Sequence, residues 1–384
     1  MELSRRKFVF NAAAAGSISI LGFPGPAEAQ IARQDGLILG KGPKGRCDDA
    51  KNGGPFVVWR EDEQLWWLYY YCRSTDFPEG VAPGFGTGSI ALAKSRDAIN
   101  WERFDGPLKG GAIMVPDMET PGAFDSEALG LGNVIYHDGE WIMTYFGGDS
   151  IAPEIVDGVE VHEGYKYKGY RCRPGIARSK DGINWTRIKG SSVGGASVSG
   201  EDYIYSAFPT TFHDGEQFVM YYTALSPKVA FWDTRVAVSK NLVDWEEKGS
   251  AQWKQEPKRW ETQGIVTRHI IENPLSVGGK WLKIYAGLDG RFFPAIRQVA
   301  LATSNDGFVW NHLYDEPIFG PGNINNWDGG GTAYPHIFPV GENFHMVYYG
   351  FANKYNKEEP GRGIGLAISN GKDMQSFRRP RPEG

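Results

Sequence analysis

Acidic side chains recur at one position of the chain, a fixed distance before successive predicted strands. We align five predicted hairpins on the residue taken to precede each first strand: Pro55, Gly132, Pro209, Pro274 and Pro335. The residues seven positions earlier are Asp48, Asp125, Asp202, Thr267 and Asp328. Carboxyl groups that converge in one cleft shift each other's pKa, so that one stays protonated while another stays charged. Glycoside hydrolysis uses such a pair, about 5 to 5.5 Å apart for retention and roughly 6.5 to 9.5 Å apart for inversion.

A second set of polar residues near the same strands does not recur from one repeat to the next: Asp49, Glu127, Glu201, His269, Glu272 and His336. A repeated aspartate also has a structural interpretation, because its side chain can bond its own backbone two residues on in every repeat. A polar residue that does not recur in the other repeats cannot be explained by such a repeated turn. Glu127 is such a carboxylate, and the alignment places His269 at the equivalent position of the fourth repeat.

The strands that must position these residues belong to a five-fold repeat. A segment with serine six residues before tryptophan occurs as SRDAINW, SKDGINW, SKNLVDW and SNDGFVW, and a degraded copy ends at Phe377. Five β-rich hairpins occur in step with it, with turns near residues 62, 138, 214, 278 and 341. The intervals of 76, 76, 64 and 63 residues each hold about four short strands, which is typical of a five-bladed propeller.

The two ends of the chain indicate how the ring closes. The segment IFGPGNINNWD leads into the fifth hairpin, and the similar segment ILGKGPKGRCD stands near the N-terminus. No such segment follows the last repeat, so the N-terminal one should complete the last blade and remove the free edges. We therefore predict an all-β fold: one domain over residues 30–384, with five blades of four antiparallel strands, closed by the N-terminal strand.

In a propeller the first strand of each blade lines the central channel, so the candidate acids share one face of the ring. The loops between second and third strands return to that face. They carry four arginines suited to a carboxylated or sulfated ligand: Arg73, Arg291, Arg297 and Arg362. Three tryptophans outside the repeat positions are the best candidates for stacking on a sugar: Trp232, Trp260 and Trp327. His137 and His213 belong to turns on the opposite face and are assigned structural roles.

The N-terminus and the charge restrict the setting in which the protein acts. Ser4-Arg5-Arg6-Lys7-Phe8, an apolar stretch and Ala27-Glu28-Ala29 together indicate a twin-arginine signal over residues 1–29, and therefore a periplasmic or secreted protein. The apolar stretch is shorter than the roughly 20 residues that span a bilayer, so no membrane span is expected after signal removal. Losing the signal changes the net charge from −5 to −6, which disfavours nucleic acid as a partner. Cys47, Cys72 and Cys172 allow one intramolecular pair at most, and Cys47 with Cys72 is conceivable.

The chain resembles the five-bladed propellers of the arabinanase, levansucrase and invertase superfamily, which includes glycoside hydrolase families 43, 32, 62, 117 and 130. The resemblance rests on FDSEALGLGNVIYHDGEWIMTYFGG, on NWDGGGTAYPHIFPVGENFHMVYYG and on the SKDGINW copies, over roughly residues 36 to 384. The usual Asp-Pro, Arg-Asp-Pro and Glu-Gly-Pro signatures are absent. The resemblance implies a base or nucleophile on blade one, at Asp48 or Asp49, and a residue on blade two that tunes pKa or stabilises the transition state, at Asp125 with Glu127. It implies a general acid on blade three, at Glu201 or Asp202. It also implies that His336 could reach one central calcium ion.

The sequence therefore favours an exported glycan-active hydrolase with a small-molecule or oligosaccharide substrate. Asp48 would act as base or nucleophile, Asp125 as stabiliser and Glu201 as acid. Substrate-binding roles are predicted for eight further residues: Asp49, Arg73, Glu127, Asp202, His269, Glu272, Asp328 and Trp327. Two alternatives remain open: a lyase, cyclase or transferase that uses His269, Glu272, His336 and Arg73 for acid–base work, and a non-catalytic glycan-binding propeller.

Overall fold

The computed structural model describes residues 35–83, 85–156, 158–188, 203–226, 232–290, 296–352 and 361–381. The predicted signal peptide lies outside these ranges, as do three residues singled out above: Glu201, Asp202 and Arg291.

Five antiparallel sheets form a ring, which confirms the predicted five-bladed propeller. Blade one contains β2 (Lys51–Arg60), β3 (Leu65–Arg73), β4 (Ser89–Ser95) and β5 (Glu102–Arg103). Blade two contains β6 (Ala128–His137), β7 (Glu140–Gly148), β10 (Cys172–Ser179) and β11 (Thr186–Ile188), and its long insertion forms the small hairpin β8 (Ile155–Val156) and β9 (Val159–Glu160). Blade three contains β12 (Tyr205–His213), β13 (Phe218–Leu225), β14 (Trp232–Ser239) and β15 (Glu246–Ser250).

Blades four and five carry an additional strand each, and that of blade five comes from the N-terminal side of the chain. Blade four contains β17 (Ile265–Glu272), β18 (Trp281–Asp289), β19 (Ile296–Ser304) and β20 (Val309–His312), and β16 (Gln252–Trp253) pairs with β20 in parallel. Blade five contains β21 (Gly331–Val340), β22 (Asn343–Phe351), β23 (Arg362–Ser369) and β24 (Phe377–Arg378). The helices in the described part of the chain are three single 3₁₀ turns: Lys109–Gly111, Glu163–Tyr165 and Arg259–Glu261.

The ring closes as the sequence predicts. Strand β1 (Leu37–Leu39) pairs antiparallel with β23 of blade five, where Leu37 faces Gly365 and Leu39 faces Ile364. The outer edge of blade five is thus shared between β24 from the C-terminal side and β1 from the N-terminal side. The free edge of the last blade is covered, as propellers require.

The recurring serine motif is a turn that joins the third and fourth strands. In blade one the Ser95 Oγ accepts hydrogen bonds from the backbone N–H groups of Asp97 and Ala98, and the Asp97 carboxylate accepts from Ile99 and Asn100. The same arrangement recurs in blade two around Ser179, in blade three around Ser239 and in blade four around Ser304. Side chains that satisfy the turn's own backbone explain why the motif is repeated so closely.

Each inner strand contains a bulge at the level of the channel mouth. The pairing register shifts between Gly53 and Phe56 in blade one, and equivalent shifts occur in the other four inner strands. At these bulges Phe208 and Tyr334 have φ values of 54° and 50°, which residues with a β-carbon rarely adopt. Such strain clusters at functional sites, and both aromatic rings belong to the cavity described below.

The register of blade four differs from the sequence alignment. In the other blades the aligned proline or glycine lies at the bulge inside the inner strand, not before the strand. In blade four the bulge lies between Ile265 and Thr267, and Pro274 follows the strand. Relative to the second strand, Arg268 has the position that the aligned proline or glycine has in the other blades. The acid seven positions earlier is therefore Glu261, not Thr267, and the residue equivalent to Glu127 is Gln263, not His269. The repeated acid thus occurs in all five repeats.

Candidate functional site

The site is a cavity of about 220 Å³ at the centre of the ring, on the face where the inner strands begin. The described residues that line it are Tyr71, Phe85, Gly86, Thr87, Phe208, Trp232, Val266, Arg297, Tyr334, Tyr349, Phe351 and Arg362. They come from inner strands, from the ends of second strands and from the beginnings of third strands. The long loops and the channel mouth therefore share this face, as the strand topology predicts.

Aromatic rings form most of the cavity wall. The Tyr334 ring lies edge-on to Tyr71 and to Phe208, with centroids 5.4 and 5.5 Å away. Trp232 is parallel to Phe208 at 6.5 Å, and Tyr349 lies 6.3 Å from Tyr334. Aromatic faces flanked by hydroxyl groups suit a sugar, which presents apolar C–H groups on its faces and hydroxyls at its rim.

Two arginines supply the charge in the wall. Arg297 and Arg362 are half-buried at the beginnings of β19 and β23, and the Arg297 guanidinium lies 5.2 Å from the centre of the Phe351 ring. Among the described residues that line the cavity, none is acidic. The pKa of Lys51 reflects this positive surrounding, because burial and then the charges of Arg362, Arg73 and Lys41 lower it to about 8.

The repeated aspartates lie outside this cavity, and the structure gives them a common role. In each of three blades one carboxylate oxygen accepts hydrogen bonds from an arginine Nε at 2.7 Å and from a tyrosine hydroxyl. The groups are Asp48 with Arg103 and Tyr70, Asp125 with Arg187 and Tyr145, and Asp328 with Arg379 and Tyr348. All three aspartates are almost completely buried. We refer to this arrangement as the aspartate clip.

Each aspartate clip also joins two consecutive blades. The arginine comes from the fourth strand of its own blade, and its second nitrogen donates to a backbone carbonyl at the outer edge of the preceding blade. These bonds are Arg103 to Gly40 at 2.6 Å, Arg187 to Val115 at 2.6 Å and Arg379 to Gly320 at 2.7 Å. In blade four the corresponding pair is Glu261 with His312, 2.6 Å apart. The acid therefore recurs for a structural reason. The turn interpretation expected its side chain to bond its own backbone, whereas the structure shows that it bonds an arginine.

The sequence carried a signal for the clip that we did not use. The arginine stands two residues after the aromatic residue of the serine motif, in WER, WTR and FRR. Blade three has Glu247 at that place, where it pairs with Arg235 on the neighbouring strand. The candidate catalytic residues Asp48 and Asp125 are thus bound by arginine, while Glu201, like the binding candidate Asp202, lies outside the described residues.

Asp49 and Arg73 hold the loop that follows β3. The Asp49 carboxylate accepts hydrogen bonds from the backbone of Gly45 and from the backbone and hydroxyl of Thr75; burial opposes its ionisation, but these bonds outweigh burial and lower its pKa. The Arg73 guanidinium donates to the carbonyls of Thr87, Val81 and Ala82. Both residues position the loop that brings Phe85 and Thr87 into the cavity wall.

His269 and His336 lie buried in the channel beneath the cavity. Their rings are 5.3 Å apart, and both contact the Phe56 ring. His336 Nε2 bonds the Val57 carbonyl at 3.0 Å, and burial lowers its pKa well below the usual value. Burial also lowers the pKa of His269, although its nitrogens lie 2.8 and 3.1 Å from the carbonyls of Pro335 and Gly132, contacts that favour protonation.

The surroundings of His336 do not fit the calcium ion that the family resemblance implied. Calcium takes six to eight oxygen ligands, whereas the His336 ring faces Phe56, His269 and one backbone carbonyl. Within the described ranges, no group of three His, Cys, Asp or Glu side chains could hold a metal ion.

Four further candidates lie at different places. Glu272 is exposed at the end of β17 next to the hairpin turn, on the face opposite the cavity, so the predicted binding role is wrong. Trp327 is buried, stacks on Tyr348 and donates to the Asp35 carbonyl, so it is a core residue and not a sugar platform. Glu127 is half-buried at the beginning of β6, and no described residue bonds its side chain. Trp260 is buried as well, which leaves Trp232 as the candidate tryptophan in the cavity.

The sequence analysis missed the tyrosines and Phe208 that form the wall. Phe208 and Tyr334 stand directly before Pro209 and Pro335. A large aromatic residue before a proline, in two of five repeats, was the available signal.

Cys47, Cys72 and Cys172 are free and buried, and the side chain of Cys47 contacts that of Cys72.

Comparison with known proteins supports the fold. No family model matches the chain, and no curated protein matches it by sequence. One similar solved structure is described as belonging to the GH130 family of mannoside phosphorylases, which contains glycoside hydrolases that target β-1,2-mannosidic linkages in Candida mannan. It has a TM-score of 0.59 at 15% identity and covers 95% of this chain and 99% of its own.

Two further structures represent other families. The Bombyx mori GH32 β-fructofuranosidase has a TM-score of 0.56 at 14% identity, over 88% of this chain and 62% of its own. The α-L-arabinofuranosidase from Lactobacillus brevis has a TM-score of 0.54 at 12% identity, over 87% of this chain and 96% of its own. The chain therefore shares the five-bladed fold of these glycoside hydrolases. No helix among the described residues is long and apolar enough to cross a membrane.

Proposed function

We propose that the protein is a glycan-active, hydrolase-like enzyme whose sugar site is the central cavity. The observation that carries the proposal is the aromatic wall at the mouth of the channel, formed by Tyr71, Phe208, Trp232, Tyr334 and Tyr349. The fold shared with glycoside hydrolases of several families supports it by analogy.

The proposal assigns the proton transfers to carboxylates outside the aspartate clips. Asp48 and Asp125 are buried and form ion pairs with the half-buried Arg103 and Arg187, so each carboxylate is already occupied by its clip. Glu127 stands beside the inner strand of blade two without a bond to a described side chain. We assign Glu127 as base and keep Glu201, which precedes the inner strand of blade three, as acid.

Removing the Trp232 ring tests the sugar site. Trp232→Ala is expected to cost about 2 kcal/mol of substrate binding, or roughly 30-fold in kcat/KM, because a sugar loses its stacking surface. The measurement is release of reducing ends from a panel of neutral and acidic oligosaccharides. Trp59→Ala is the matched control, since Trp59 lies at the end of β2 on the opposite face. If the parent protein neither binds nor cleaves any member of the panel, the proposal fails.

Elimination on a uronate is a second candidate reaction, favoured by the tyrosine pair in the wall. The side chains of Tyr71 and Tyr334 are hydrogen-bonded, and burial raises the pKa of both, so each stays protonated and suits donation to a leaving oxygen. In this reaction a base, here Glu127, takes the proton at C5, the C4–O bond breaks and a C4–C5 double bond forms. Detection of an unsaturated product by its ultraviolet absorbance would show that the reaction is elimination and not hydrolysis.

We also propose that the protein is exported through the twin-arginine route, on the strength of Arg5, Arg6 and the Ala27-Glu28-Ala29 site. Arg5→Lys with Arg6→Lys is expected to leave the precursor inside the cell, measured by fractionation and immunoblotting. Lys7→Arg is the control, because it keeps the charge and both arginines. Normal processing of the double variant would contradict this route.

A further inference from the structure

Building on the proposed sugar site, we infer that the cavity selects glycans that carry a carboxylate or sulfate group, which Arg297 and Arg362 bind. The two arginines stand at the same position of neighbouring blades, at the beginning of the third strand. Both line the cavity, and both lie beside the Phe351 ring: Arg362 pairs with Phe351 across the sheet, and Arg297 lies over the ring. They can therefore approach one ligand group from two sides.

Neither arginine has a counter-charge in the part of the chain that the structure describes. Most other half-buried arginines do, including those of the three aspartate clips, Arg171 and Arg235, and so does the buried Arg60. The cavity's described lining contains no acidic residue that a ligand would have to displace. An anion of the ligand would provide the missing partner, and a guanidinium matches the paired oxygens of carboxylate and sulfate.

The wider surroundings reinforce the preference for an anion. Lys51 lies within the field of Arg362, and Lys51 pairs in register with Arg73 at the beginning of β2. The charges of Arg362 and Arg297 also act on Tyr71, where they oppose the effect of burial on its pKa. A neutral sugar in this cavity would remove water from two guanidinium groups without replacing it by a charge, which is unfavourable. An anionic sugar restores that balance while its ring stacks on the aromatic wall.

Paired ligands separate recognition of the anion from recognition of the sugar. The probes are uronate oligosaccharides, each with its carboxyl-reduced counterpart, and sulfated oligosaccharides, each with its desulfated counterpart. Affinities are measured by titration calorimetry with the full chain at low and at physiological salt. At least one charged probe is expected to bind 10-fold to 100-fold more tightly than its neutral counterpart, and the difference should shrink as salt increases.

Arginine variants then locate the anion. Arg297→Met and Arg362→Met should each weaken binding of the charged probe about 10-fold, whereas binding of the neutral counterpart should not weaken. Arg259→Met is the control, since Arg259 is exposed beside Glu316. Preference for the uronate or for the sulfated probe decides which anion is the natural group, and either supports the inference. Equal binding of charged and neutral members overturns the inference but leaves the proposed sugar site intact, whereas binding of none overturns both.

Discussion

Asp125→Asn is expected to lower the free energy of unfolding by about 3–5 kcal/mol, the loss typical of breaking one buried ion pair. The Asp125 carboxylate is buried and bonds the Arg187 Nε at 2.7 Å and the Tyr145 hydroxyl at 3.0 Å. Asparagine keeps the volume but removes the charge, so the Arg187 guanidinium would be left without its partner. Urea unfolding followed by tryptophan fluorescence measures the change.

A control and a double variant separate the clip from catalysis. Asp138→Asn makes the same chemical change at an exposed hairpin turn, where φ is 47° and asparagine is well accommodated, and should be nearly neutral. Asp125→Asn combined with Arg187→Met should cost less than the sum of the two single variants, because the uncompensated charge is gone. Full stability of Asp125→Asn with loss of turnover would instead show that Asp125 is a catalytic residue.

Acid should destabilise the protein below about pH 6.5 through the buried histidines of the channel. Burial lowers the pKa of His336 and His269 in the folded state, while the unfolded chain binds their protons near pH 6.5. Their contribution to stability is therefore complete above that pH and is lost as the pH falls toward the folded pKa values. Each histidine should reduce the free energy of unfolding by up to about 1.4 kcal/mol per pH unit, or about 4 kcal/mol for both between pH 6.5 and 5.

The pH dependence, rather than the stability at one pH, identifies the responsible groups. His336→Asn should flatten the slope between pH 5 and 6.5, since asparagine does not titrate; Asn133 already stands at the equivalent place in blade two. His162→Asn, at an exposed position of the blade-two insertion, should leave the slope unchanged. An unchanged slope in His336→Asn would mean that this ring does not control the acid sensitivity.

The fold could be predicted from the sequence because the motifs that determine it recur at regular intervals. The hairpins recur in all five blades and the serine motif in four of them, where it forms a local turn that satisfies its own backbone, so the spacing can be read along the chain. Closure could be predicted for the same reason, because the segment that contains the end of β1 resembles the segment that leads into the fifth hairpin.

The site could be predicted only in part, because it depends on contacts between segments distant in sequence. A carboxylate seven residues before a bulge looks the same whether it faces a ligand or an arginine, and the arginine that decides the matter for Asp125 stands 62 positions later. In blade four the alignment followed Pro274, whereas the pairing of β17 with β18 makes Arg268 the equivalent residue, so the alignment missed Glu261 and gave His269 the wrong equivalent. Trp232 was found because it lies outside the repeated tryptophan positions, and Arg297 and Arg362 were found because they belong to the long loops on the face of the channel mouth.

The aspartate clip has a consequence for how such a ring can arise. The acid, the arginine and the tyrosine all belong to one repeat, and the only group taken from the preceding blade is a backbone carbonyl, as in Arg187 with Val115. A backbone carbonyl is available whatever the side chain there. A newly duplicated repeat would thus contain all the side chains that bond it to its neighbour. Tandem duplication could lengthen an ancestral chain without a new interface evolving at each junction. The side chains facing the axis would remain free to diverge.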